Sequence, residues 1–103
     1  MNNFFDKIPT DLSSEVFETI ANNDIIKIER IISKGHCSPK KGWYEQEHHE
    51  WVLILQGEAI LTFADDSKVK LSVGDYLNIE PLQKHKVSWT DPDIETIWLA
   101  IHY

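Results

Sequence analysis

Turn-forming residues interrupt this sequence about every ten positions, a spacing that accommodates short strands and little else. The punctuation is Gly35, Pro39 with Gly42, Gly57, Asp65-Asp66-Ser67, Gly74-Asp75, Pro81 and Asp91-Pro92-Asp93. Between these points lie runs rich in Val, Ile, Leu and aromatic residues. Ile25–Ser33 is rich in β-branched residues, and Glu50–Gln56 and Glu58–Phe63 are apolar runs parted by Gly57. Val69, Leu71 and Val73 alternate with Lys68, Lys70 and Ser72, as a strand with one wet face requires. Tyr76–Ile79, His85–Thr90 and Ile97–Ile101 complete the series. Such a chain predicts an all-β sandwich or barrel.

One segment reads differently. Residues 10–21 place Leu12, Val16, Phe17 and Ile20 on one helical face, with Thr10, Ser13 or Ser14 as N-cap and Asn22-Asn23-Asp24 as stop. This predicts a helical extension over residues 1–24 and a barrel over residues 25–103. Trp51–Leu55 and Ile97–Ile101 are apolar at both parities, so both of their faces are expected to be covered. One face meets the barrel interior, and the other the N-terminal helix or a second subunit. On that basis a homodimer is expected.

With 103 residues the chain is one domain. Ten basic residues against 17 acidic ones give a net charge of −7, a field that repels phosphate backbones and anionic bilayers. Nucleic acid and membranes are therefore not expected partners. Cys37 stands alone, so no intrachain disulfide forms. Met1–Pro9 lacks the basic and apolar regions of a signal peptide, and no apolar run is long enough to span a bilayer. A cytoplasmic protein is the expectation.

Gly42–Gly57 and Gly74–Trp89 resemble the two sequence motifs of the cupin superfamily. Glu50 and Gly57 carry the spacing between the first motif's Glu and its closing Gly, and Gly74 and His85 carry the spacing of the second. Trp43-Tyr44-Glu45-Gln46, Glu50-Trp51-Val52, Gly74-Asp75-Tyr76 and Trp98-Leu99-Ala100 look like a group of small bacterial single-domain cupins without an assigned reaction. The resemblance implies a double-stranded β-helix, the jelly-roll barrel of the RmlC-like proteins. It also implies a divalent metal held by three His and one Glu. Here the first-motif histidine positions hold Trp43 and Glu45, or Tyr44 and Gln46 on the shorter spacing, and Glu80 and Leu82 replace the second motif's Pro and Gly.

The candidate metal set is accordingly Glu50, His85, Glu45 as a carboxylate substitute, and His48, with neighbouring His49 as the alternative. Alternation along an extended strand puts His48 and Glu50 on one face. Such an N/O set suits Fe, Mn, Ni or Zn. Trp43, Trp89 and Gln46 are the candidate lining of a small-molecule pocket, since such sites are aromatic with a few polar groups. Arg30 would anchor a carboxylate if it faced inward. Cys37 next to His36 has no orienting third group, and reads as an inert loop thiol. Four functions are compatible with these residues: a metal-dependent enzyme, a metal-free ligand-binding module, a structural or partner-binding cupin with a closed interior, or a metal-free catalyst with Glu50 and His85 as general base and acid.

Overall fold

The computed structural model describes residues 2–103. Eight strands succeed one another: β1 (Val16–Asn22), β2 (Lys27–Ser33), β3 (Glu50–Gln56), β4 (Ala59–Phe63), β5 (Lys68–Leu71), β6 (Tyr76–Ile79), β7 (His85–Thr90) and β8 (Thr96–His102). They form two antiparallel sheets, one in the order β1-β2-β8-β3-β6 and one in the order β5-β4-β7. The inner faces meet over Ile31, Val52, Ile54, Ala59, Leu61, Leu71, Ile79, Trp98 and Ala100, all buried. Period-two alternation produces this layer: Val52 and Ile54 point in, while Trp51 and Leu53 stay part-exposed on the outer face. No helix among the described residues is long and apolar enough to cross a membrane.

The N-terminal helix expected over residues 10–21 does not form. Residues 16–22 are instead the edge strand β1, in register with β2 from Val16 opposite Ile32 to Asn22 opposite Lys27. An isolated helix shorter than about 12–15 residues is marginal in water. The open edge of β2 offers β1 a ladder of backbone partners interrupted only at Ile20, and Val16, Thr19 and Ile20 favour the pleated state. The segment expected to be a helical extension thus joins the same sheet as the barrel strands.

Arg30 explains how the chain before β1 is held. It is buried, but its side chain leaves the sheet on the opposite side from Glu29 and Ile31, which line the interior. Its guanidinium donates to both carboxylate oxygens of Glu18, its register partner on β1, at 3.0 and 2.8 Å. It also donates to the carbonyls of Phe4 and Asp6 at 3.0 and 2.7 Å. A planar cation with five donors is suited to such a junction.

Three register shifts interrupt the ladders, one of them at Ile20 of β1, and the other two set which residues of β3 and β7 face inward. In β3, Ile54 pairs with Trp98 and Gln56 with Ile97, so Leu55 is an extra residue. In β7, Leu61 pairs with Val87 and Ile60 with Trp89, so Ser88 is the extra residue. Each bulge reverses the in–out phase of the strand beyond it. Gly57 ends β3 with φ +84°, and the Cβ it lacks would collide with Thr96 Oγ1 and sit 2.7 Å from Thr96 Cα. The turn into β4 thus passes directly against the start of β8.

Candidate functional site

Between the two sheets lies a cavity of about 180 Å³. Its floor is apolar, with Ile31, Val52, Leu61 and Ile79, and its polar groups arrive from separate parts of the chain. Glu50 opens β3 in phase with Val52 and therefore points in. His85 opens β7 in phase with Val87 and meets it from the facing sheet. Tyr44 is fixed beside His85 by a two-way backbone bridge, Tyr44 N–H to His85 carbonyl at 2.8 Å and the reverse at 3.1 Å. Their rings lie 5.6 Å apart. Two residues on, Gln46 faces the same space and its amide donates to Glu50 Oε1 at 3.0 Å.

Glu50 and His85 form the centre of the site. His85 Nε2 lies 3.4 Å from Glu50 Oε1, with side-chain exposures of 3% and 13%. His85 Nδ1 lies 2.9 Å from the Gln83 carbonyl, which accepts only, so Nδ1 carries a proton. At pH below the raised His85 pKa a second proton sits on Nε2, facing the Glu50 carboxylate. Burial opposes charge on both groups, but the bond to Glu50 and the Gln83 carbonyl outweigh it and raise the His85 pKa. For Glu50, burial is outweighed by the bonds from His85 and Gln46 and by the nearby His102, and its pKa is lowered. Both directions describe a carboxylate–imidazolium ion pair. Such a pair can give a proton to a bound molecule or take one from it.

A second pair adjoins the first. His102 stands opposite Glu50 in the β3–β8 ladder. Its Nε2 is 2.7 Å from Glu29 Oε1 and 4.0 Å from Glu50 Oε2. Tyr44 lines the same cavity. Its phenol pKa is raised, first by burial and then by the charges of Glu15, Glu50 and Glu29, against a lowering bond with Ser38.

Of the residues singled out from sequence, the structure brings together Gln46, Glu50 and His85. Glu45 and Trp43 do not line the cavity. They alternate with Tyr44 and Gln46, which do, so the shorter motif spacing describes this barrel. Glu45 is exposed, and Trp43 lies under Lys86, whose Nζ is 4.4 Å from the ring centre. His48 is at the surface, 3.0 Å from His102 Nδ1, and does not reach Glu50. His49 stacks on Tyr103 with ring centres 4.8 Å apart. Trp89 would face inward by simple alternation from His85. The Ser88 bulge turns it outward, where it is 37% exposed.

Sequence reasoning missed Glu29 and His102. The signal was parity: His102 is in phase with Trp98 and Ala100, and Glu29 with Ile31, so each shares a face with core residues.

A resident divalent metal needs three or more N, O or S ligands converging at about 2.0–2.3 Å. At the cavity positions that correspond to the cupin ligand set stand Tyr44, Gln46, Glu50 and His85. A neutral phenol and an amide replace two imidazoles, and the remaining two ligands are bonded to one another. Among the described residues no three His, Cys, Asp or Glu side chains are grouped so as to hold an ion. This donor set does not fit the metal that the resemblance implies.

A family model described as Cupin domain matches residues 31–102. Among solved structures, a protein of Ralstonia eutropha JMP134 described as a "putative mannose-6-phosphate isomerase" is 35% identical, with TM-score 0.92, covering 99% of this chain and 95% of that one. A cupin superfamily protein of Desulfitobacterium hafniense DCB-2 is 25% identical, with TM-score 0.76 and coverages of 92% and 82%. An RmlC-like cupin of Desulfovibrio desulfuricans, 18% identical with TM-score 0.78 and coverages of 99% and 94%, shares the fold. A search of curated proteins finds no match. The family model spans both ligand-bearing strands, and the Ralstonia structure superposes over nearly the whole chain, so this chain belongs to the cupin family.

Proposed function

We propose that this cupin binds a small organic molecule inside its barrel and handles it with Glu50 and His85 rather than with a metal. The observation that carries the reading is the convergence of Tyr44, Gln46, Glu50 and His85 on a cavity with an apolar floor. A concave apolar space with a few aimed polar groups is the usual form of a ligand site. Its size suits one small ring, since an engineered apolar cavity of about 150 Å³ takes up benzene. A phosphorylated sugar, as in the name of the Ralstonia protein, would find no Lys or Arg side chain on the wall among the described residues.

Elemental analysis of untagged protein purified without chelator tests the metal half of this reading. Fe, Mn, Ni and Zn should each stay far below one ion per chain, even after incubation with the ion and desalting. Near-stoichiometric metal that disappears in His85→Ala would overturn the proposal and restore the metal-dependent enzyme.

We also propose that the functional unit is a homodimer. Trp51 pairs with Ile101 and Leu53 with Leu99 across β3 and β8, and all four stand part-exposed on the outer face beside the exposed Tyr76. A second copy would cover this strip. Light scattering at micromolar concentration should report a dimer, and Leu99→Asp a folded monomer. A wild-type monomer would count against the assembly.

A further inference from the structure

The charges on the cavity wall are unequal in a way that selects the ligand. Three carboxylates line it, from Glu15, Glu29 and Glu50, and among the described residues no Lys or Arg does. Two of the three have cationic or imidazole partners. Glu50 is paired with His85, and Glu29 has His102 on one oxygen and Lys27 on the other at 3.2 Å. Glu15 has neither. One of its oxygens accepts from the Ser33 hydroxyl, and Oε1 is buried without a hydrogen-bond partner. Among the described residues no Lys, Arg or His forms an ion pair with it.

A second group at the cavity is also unsatisfied. Trp98, only 2% exposed, lines the same space, and its indole Nε1 has no acceptor among the described residues. Buried polar atoms are almost always bonded, so two orphans on residues of one cavity wall point to a missing partner. Glu15 needs a donor and, as a carboxylate, is best satisfied by a charged one. Phe17, Tyr44 and Trp98 add aromatic rings to the lining, and aromatic faces attract cations. Ser33, which holds Glu15, lies four residues from Glu29 along β2, about 13 Å at strand rise. The unpaired carboxylate therefore occupies a different part of the wall from the Glu50–His85 pair.

Resting on the ligand-binding reading above, we propose that the cavity takes a small organic cation, an amine whose charged nitrogen is received by Glu15 while its apolar body fills the barrel. A carboxylate or phosphate of the same size would bring a second negative charge to the one acidic group that has no cation. Glu15→Gln keeps an oxygen for the Ser33 hydroxyl and removes the charge.

Three probes of one shape and different charge test this: benzylamine, benzyl alcohol and benzoate, each titrated calorimetrically and by thermal melting against the full chain at pH 7. Benzylamine should bind at least about tenfold more tightly than benzyl alcohol, a difference of about 1.4 kcal/mol. Benzoate should bind more weakly than the alcohol. In Glu15→Gln the amine should lose that advantage, while the alcohol, which reports an intact cavity, keeps its wild-type affinity. Benzoate binding as well as benzylamine would overturn the cation assignment and leave the cavity reading standing. Equal amine affinity in wild type and Glu15→Gln would remove Glu15 as the counter-ion. Failure of all three probes to bind would overturn both readings together.

Discussion

Gly57→Ala should destabilise the protein by about 2–5 kcal/mol, the larger of two contrasting glycine substitutions. A left-handed residue other than glycine costs about 1–2 kcal/mol, and forcing atoms into a packed space adds about 1–3. Gly57 incurs both penalties. Its φ is +84°, and the new methyl would lie 2.9 Å or less from three atoms of Thr96, one of them backbone. Gly74 is the internal control. Its φ is +89°, but nothing lies within 4 Å of the added carbon, so Gly74→Ala should cost only the conformational part, about 1–2 kcal/mol. Urea midpoints at unchanged m-value measure both. Equal losses in the two variants would mean that the β3–β4 turn moves away from β8 at little cost.

His85→Ala should cost about 3–5 kcal/mol, because removal of one partner leaves the other charge buried and unpaired. Glu50 is 13% exposed and keeps the Gln46 amide at 3.0 Å and His102 at 4.0 Å, neither as close a charged partner as His85. The pH dependence carries a second signature. The Glu50 pKa lies below its ordinary 4.5 in the fold, so its contribution is present above that value and lost as pH falls through the lowered one. The His85 pKa lies above its ordinary 6.5, so its contribution is present below 6.5 and lost as pH rises through the raised one. Stability from the pair is thus complete between pH 4.5 and 6.5 and declines on either side. In His85→Ala the alkaline decline attributable to this pair should vanish. A wild-type stability flat from pH 6 to 9 would show that no proton is shared with Glu50.

The barrel was legible because its punctuation is chemical. Gly, Asn, Asp and Pro mark the strand ends, and β3, β6 and β7 begin and end where composition put them. Residues 10–21 were not legible, because Leu12, Val16, Phe17 and Ile20 satisfy a helical period, and only the partner strand β2 decides against it. The site divided along the same line. Glu50 and His85 were found through motif spacing, which survives because strand length and topology fix it. Trp89 was misplaced by a bulge that no local pattern announces. Trp43 and Glu45 were misplaced by a one-residue choice of spacing, and in an extended chain one residue exchanges the two faces. Glu29 and His102 were readable in principle, since each falls in phase with buried apolar neighbours.

The extra residue in β7 has an implication for how such a barrel changes over time. Trp89 faces outward only because that strand is one residue longer than its partner requires. Deleting Ser88 would remove the bulge but leave Trp89 opposite Ile60 and outside, whereas one residue inserted between Ile60 and Leu61, opposite Ser88, would restore the simple alternation and swing the indole of Trp89 toward the interior. The contents of the binding space are therefore open to revision by a single-codon insertion as well as by substitution, and two homologues of nearly identical composition can present different walls to their ligands.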